Sequence, residues 1–266
     1  MTALRITPLF AFGSRRAFRI IERNLLVYKH GWLVIFSGFF EPLFYLLSLG
    51  FGLGRMVGDV PGPGGQPIPY ALFVAPALLA ASSMNGAITE STFNFFFKLN
   101  YDKTFASILT TPMSPGDISV GELIWALIRG ALYSIGFLGV MVVFGLAPSP
   151  LILLTLPGSL LIGFAFAAVG MAATSFMKTW QDFDLIQLVI LPMFLFSGTF
   201  FPLETLPDTA RVIVQLTPLY HGVDLLRQLA VGVVGPQTLI HVAYLTVMGV
   251  VGLAVVSRRL DKLLLK

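Results

Sequence analysis

The chain has 266 residues, of which 56% are apolar, 13% aromatic and only 11% charged, with a formal net charge of +4. A soluble domain carries about 25% charged residues, so neither a water-facing globule nor a disordered chain fits, and the mean hydropathy of +0.86 agrees. The absence of cysteine excludes disulfides, thiolate metal sites and a thiol nucleophile.

At the N-terminus no cleavable signal peptide is expected, because no apolar run precedes the arginines. Phe10–Lys29 reads as an amphipathic helix: at 100° per residue Phe18, Ile21, Leu25 and Tyr28 share one face, and Arg15, Arg16, Arg19 and Arg23 another. Such a helix lies in the membrane interface with its arginines at anionic headgroups. A solvated basic leader that only sets topology is the alternative.

A bilayer core of about 30 Å needs about 20 mostly apolar residues per helical crossing. Six segments meet that length: Trp32–Leu53, Tyr70–Thr89, Leu123–Phe144, Leu151–Met177, Leu185–Phe201 and Thr238–Val256. The expected fold is therefore an all-α integral membrane protein. Residues 1–31 form the interfacial helix and residues 32–266 a six-helix transmembrane domain.

In the first span Glu41 lies near mid-membrane, followed by Pro42, which removes a helical hydrogen bond. A carboxylate there belongs on the bundle interior, either as part of a substrate path or protonated and bonded to a neighbouring helix. Val57–Pro69 is an outer loop rich in Gly and Pro. No Lys-Ser or Lys-Thr follows its glycines, so it is not a phosphate loop.

The second span ends at Glu90 among Thr89, Ser91, Thr92 and Asn94, a polar stripe suited to a cavity wall. In the inner connection 98–121, Asp102 or Thr104 starts a short helix with Phe105, Ile108 and Leu109 as exposed apolar anchors, and Pro112 stops it. It reads as a docking knob for a soluble partner or as a surface helix resting on the membrane. At the inner end of the third span Glu122 and Arg129 share a helix face. Arg129 can pair at the cytoplasmic rim or snorkel.

Gly145–Pro150 is a tight outer turn and Lys178–Asp184 a short inner one. The outer connection 202–236 is unusually apolar. Pro207 and Pro218 divide it into Asp208–Leu216, with Asp208 as N-cap, and Leu219–Ala230. Each piece is too short to cross, so the pair reads as a re-entrant hairpin capping a route, or as a cover lying on the surface.

Basic residues settle sidedness. Of the 17, all but Arg55, Arg129, Arg211 and Arg227 fall in the N-terminal segment, the inner connections and the tail. The positive-inside rule then puts both termini in the cytoplasm. No catalytic triad, paired carboxylates or metal-ligand spacing is present, so catalytic and metal sites are expected to be absent.

Four stretches carry a family resemblance: Ala87-Ile88-Thr89-Glu90-Ser91, Thr110-Thr111-Pro112-Met113-Ser114, Phe196-Ser197-Gly198-Thr199-Phe200-Phe201-Pro202-Leu203, and Leu216-Thr217-Pro218-Leu219-Tyr220-His221-Gly222-Val223-Asp224-Leu225-Leu226-Arg227. With these the chain resembles the type-2 family of ABC transporter membrane subunits. It looks closest to the branch of lipo-oligosaccharide, polysaccharide and daunorubicin-type exporters. The resemblance implies an export half-channel paired with a second permease copy or homologue. Two separate cytoplasmic ABC ATPase subunits would supply ATP and Mg, with no cofactor on this chain. It also implies a coupling helix near Tyr101–Thr111, with Tyr101, Asp102, Lys103, Phe105, Ile108 and Leu109 as contacts.

Glu41, Glu90 and Arg129 then become candidates for the translocation path, and Phe200, Phe201, Tyr220 and His221 for an outer gate. The cargo is expected to be amphipathic: a lipid-linked saccharide, a glycolipid or a hydrophobic drug. Membrane lipid is a partner and nucleic acid is not. The location implied is a bacterial inner membrane. An ATP-independent secondary transporter and a membrane scaffold are the alternatives from other classes.

Overall fold

The structure, a computed structural model, describes residues 16–29 and 40–265. The start of the expected interfacial helix, residues 10–15, and the first part of the first span, residues 32–39, lie outside them. Helix α1 is Ala17–Tyr28 and α2 covers residues 40–57, whose central part Leu46–Leu53 is wound as a π-helix. A two-stranded ribbon follows, β1 Asp59–Pro61 against β2 Pro67–Pro69, antiparallel with Val60 opposite Ile68. Positive φ at Gly64 and Gly65 closes its turn, which accounts for the glycines without any phosphate site.

Then come α3 Tyr70–Tyr101, α4 Thr104–Ile108, α5 Pro115–Val143, α6 Pro150–Thr174, α7 Asp182–Phe196, α8 Asp208–Gln215, α9 Pro218–Val231 and α10 Pro236–Leu264. Among the described residues α3, α5, α6 and α10 are long and apolar enough to cross a membrane. The chain is thus a helical, multi-pass membrane protein.

Helix α3 is the centre: 72% of its apolar window is buried, against 33% for α5 and α10. Their exposed faces carry Leu132, Ile135, Val142, Leu239, Val247 and Val251, side chains suited to lipid. Helices α6 and α10 touch through backbone. A Cβ at Gly252 would come within 2.8 Å of the Ala168 carbonyl carbon and the Val169 nitrogen. Small residues at such crossings are what allow membrane helices to approach closely.

Helix α5 starts earlier than its apolar stretch. Ser114 and Asp117 form a capping box, with Ser114 Oγ accepting from Asp117 N at 3.2 Å and Asp117 Oδ2 accepting from Ser114 N at 2.9 Å. The segment that reads as the end of a loop is therefore a helix start.

Three expectations need correction. Phe105 is not an exposed anchor: it is fully buried, its ring centroid 5.0 Å from that of Phe95. A helix of five residues cannot hold itself in water, so its largest apolar side chain turns inward. Asp208 is not an N-cap either. Pro207 occupies that position, and Asp208 stands in the first turn with Oδ1 3.5 Å from Arg211. Finally, the helix expected over Leu185–Phe201 ends at Phe196. Residues 197–201 bend, with Gly198 at φ +71.

Candidate functional site

Two buried ion pairs join α3 to α5. Lys98 Nζ lies 2.6 Å from Glu122 Oε2, and Arg129 Nη1 contacts Glu90 Oε2. Register explains both. The helices are antiparallel, so moving back along α3 from Lys98 to Glu90 matches moving forward along α5 from Glu122 to Arg129. Each charge therefore meets its opposite. With almost no water to compete, an unpaired partner in this position would be costly.

Helix α1 closes the network from outside. Its residues Ala17, Ile20, Ile21 and Asn24 are buried. Asn24 Nδ2 donates to Glu122 Oε1 and Lys98 Nζ donates to Asn24 Oδ1, each at 3.4 Å. Near the other pair Tyr28 Oη accepts from Asn94 Nδ2 at 3.1 Å and from Arg129 Nη1 at 3.4 Å. Asn94 Nδ2 also donates to Glu90 Oε2 at 2.8 Å, and Arg129 Nη2 donates to Tyr133 Oη at 3.0 Å. Glu90 opens a π-helical turn, Glu90–Asn94, a winding often found where a helix presents side chains to a site.

Arg129 and Tyr133 form one wall of a cavity of about 250 Å³. Ser82, Asn85, Gly86 and Thr89 of α3 form another, and Glu41, Pro42 and Tyr45 of α2 a third. Phe194 of α7 completes it. The path candidates thus converge: Glu41 and Arg129 line one space, and Glu90 holds Arg129 from behind. Arg129 is thus paired, whereas Glu41, expected on the bundle interior, is exposed at the cavity.

The gate candidates do not form one cluster. Phe200 packs edge-on to Phe194 at 5.1 Å and lies 6.5 Å from Tyr45, next to the cavity. Its carbonyl accepts from Tyr70 Oη at 2.8 Å. Phe201 meets Phe196 instead. Tyr220 and His221 sit on α9 beside His241 of α10.

In the inner connection Tyr101, Asp102 and Lys103 are exposed, whereas Ile108 and Leu109 are half-buried against the core. Lys103 takes a left-handed conformation, φ +51, where α3 turns into α4. Among the described residues no group of three or more His, Asp or Glu is placed to hold a metal ion.

Several functional-looking residues escape a reading of the sequence. Arg227 is one: buried in α9, it donates from Nε to the Phe73 carbonyl at 3.1 Å and from Nη2 to the Gly198 carbonyl at 2.7 Å. Its guanidinium also stacks on the Phe73 ring. It therefore ties the Phe-Ser-Gly-Thr-Phe bend to the central helix. Tyr28, Asn24, Lys98 and Tyr133 are others; of these the reversed charge order along α3 and α5 signals Lys98.

Several apolar helices packed around a central one, with a polar cleft between them, define a helical multi-pass membrane protein. Residues 16–231 match the family described as ABC-2 type transporter, and the chain belongs to that family. It is 34% identical over 231 residues to Nodulation protein J of Sinorhizobium fredii, across 86% of each chain. To Nodulation protein J of Rhizobium leguminosarum bv. viciae it is 34% identical over 254 residues, 93% of this chain and 96% of the relative. A more distant likeness, 23% over 189 residues and 68% of each chain, is to the Inner membrane transport permease YadH of Escherichia coli.

Proposed function

We propose that the chain is the permease subunit of an ATP-driven exporter in a bacterial inner membrane, working as a pair of permeases on two separate ATPase subunits. In this reading the six crossings are those built on α2, α3, α5, α6, α7 and α10, and both termini are cytoplasmic. The basic residues at the inner ends support that orientation. ATP and Mg stay on the partner subunits, and this chain supplies movement.

The observation that carries the reading is the ion-pair ladder between the inner connection and the cavity. The exposed corner Tyr101, Asp102 and Lys103 is the docking surface. Phe105 packed on Phe95 makes that corner rigid with the end of α3. A push on the corner then moves Lys98 and Glu90, and through their pairs moves Glu122 and Arg129 on α5. Arg129 is in the cavity wall, so the push reaches the route. Helix α1, bonded to the same ladder through Asn24 and Tyr28, is a second lever.

An amphipathic cargo suits the cavity chemistry. Glu41, Ser82, Asn85 and Arg129 offer polar contacts, and Tyr45 and Phe194 offer aromatic faces. Of the cargo classes considered, a lipid-bearing saccharide is favoured by the likeness to Nodulation protein J and the resemblance to lipo-oligosaccharide exporters. The outer hairpin of α8 and α9 caps the route.

The chain has no cysteine, so Lys103→Cys gives a single attachment point. A short thiol-reactive cross-linker applied to native membranes should join that variant to a soluble ATP-binding chain. Cross-links only to lipid or to unrelated membrane proteins would contradict the docking assignment.

A further inference from the structure

Among the three histidines of the chain, two meet across the α9–α10 contact. His221 and His241 are both buried, and their Nδ1 atoms are 2.8 Å apart. His241 Nε2 lies 2.9 Å from Asp224 Oδ2, which also accepts from Gln228 Nε2 at 2.8 Å. Gln228 Oε1 accepts in turn from Thr238 Oγ1 on α10. The Tyr244 ring stacks on His221 with centroids 3.9 Å apart, and Tyr244 Oη donates to the Leu216 carbonyl at 2.9 Å. These contacts tie the elbow between α8 and α9 to α10.

The other ionisable groups nearby are few. Tyr220 stands edge-on to both imidazoles. Arg227, on the same helix, is engaged by the Phe73 and Gly198 carbonyls, and Glu204 acts at longer range on Tyr220 and Arg227. Helix α6, packed against both α9 and α10, has no ionisable side chain. Tyr70 of α3 is bonded to Phe200, and Glu122, Arg129 and Tyr133 of α5 belong to the inner network or the cavity. Asp117 closes the Ser114 capping box at the start of α5.

Counting protons shows what this arrangement can do. A ring-to-ring hydrogen bond needs one protonated and one bare Nδ1. In the neutral pair His241 donates from Nε2 to Asp224, which leaves its Nδ1 bare, so His221 donates from Nδ1. One extra proton fits on the His221 Nε2, the ring nitrogen outside the His221–His241 contact, and leaves that contact in place. A second extra proton puts two N–H groups against each other at hydrogen-bond distance, and the contact must break.

We propose that His221 and His241 form a proton-operated latch that holds the outer hairpin against α10 with up to one extra proton and releases it on the second. Asp224 positions His241, and Gln228 and Thr238 position Asp224. The device is independent of what the chain transports.

The test uses the full chain in phospholipid nanodiscs with isotope-labelled histidine. Nuclear magnetic resonance should show the His221 and His241 ring signals changing together in two steps as the pH is lowered. Amide exchange over residues 208–232, corrected for its intrinsic pH dependence, should rise by about tenfold per pH unit as the pH falls toward the second step and level off below it, as release linked to one proton requires. In a folded His221→Gln variant that rise should vanish. Independent titration of the two rings, unchanged exchange across the range, or a rise that persists in the variant would overturn the latch. If the variant does not fold, the wild-type titration decides alone.

Discussion

Glu90 and Arg129 show why charge inside this molecule is organised in pairs. Each side chain is nearly sequestered from solvent, and each carries further bonds from Asn94, Tyr28 or Tyr133. Removing one member leaves the other buried and uncompensated, which costs about 3–5 kcal/mol. Arg129→Ala or Glu90→Gln should therefore lower thermal stability in detergent by that order. The exchanged pair Glu90→Arg with Arg129→Glu should recover part of the loss. Equal stability for the single variants and the wild type would show that the pair is not structural.

Arg129 taken alone reads as a snorkelling residue, and Lys98 as one of several inner lysines. Their roles emerge only when α3 and α5 are set side by side, because one chain lists charges without saying which face which. Glu41 is a different case: depth alone points it to the bundle interior, whereas it is exposed, among the residues that line the cavity.

At the scale of the element, helix ends carry the most information. Helix α7 begins at Asp182, whose carboxylate accepts from the backbone N–H groups of Lys178 at 2.7 Å and Thr179 at 3.1 Å. These bonds hold its pKa below the usual carboxylate value. A depressed folded pKa means the contribution is complete above the unfolded value and is lost as pH falls through the folded one. Amide exchange at the start of α7 should accelerate below about pH 4, and Asp182→Asn should show faster exchange at neutral pH with no such acid step. An acid step that survives in the variant would exclude Asp182 as its cause.

The long apolar helices α3, α6 and α10 are legible in the sequence because length and hydropathy define them. The short ones are less so. Phe105 is one apolar residue in a polar loop, and whether it faces a partner or Phe95 depends on a tertiary contact that no periodicity encodes. In the same way the end of α7 is set by Gly198 and by the Arg227 bond to its carbonyl, not by a loss of hydrophobicity.

At the scale of the whole molecule, the helical membrane architecture follows from composition, and family membership follows from motifs that run along most of the chain. What composition could not supply is the connection between parts: the inner corner at Tyr101, the ladder through Lys98 and Glu90, the cavity at Glu41 and Arg129, and the outer hairpin stapled by Arg227. In the proposed function these make a path from one membrane face toward the other. Such a path does useful work only if something pushes on its inner end.

That requirement is the central claim, and purification of the tagged chain from its native membrane in mild detergent tests it most directly. A soluble ATP-binding chain should co-purify in stoichiometric amount, and should be lost when Tyr101, Asp102 and Lys103 are all changed to Ala while the permease stays folded. A folded, correctly inserted protein that brings down no ATPase would contradict the account.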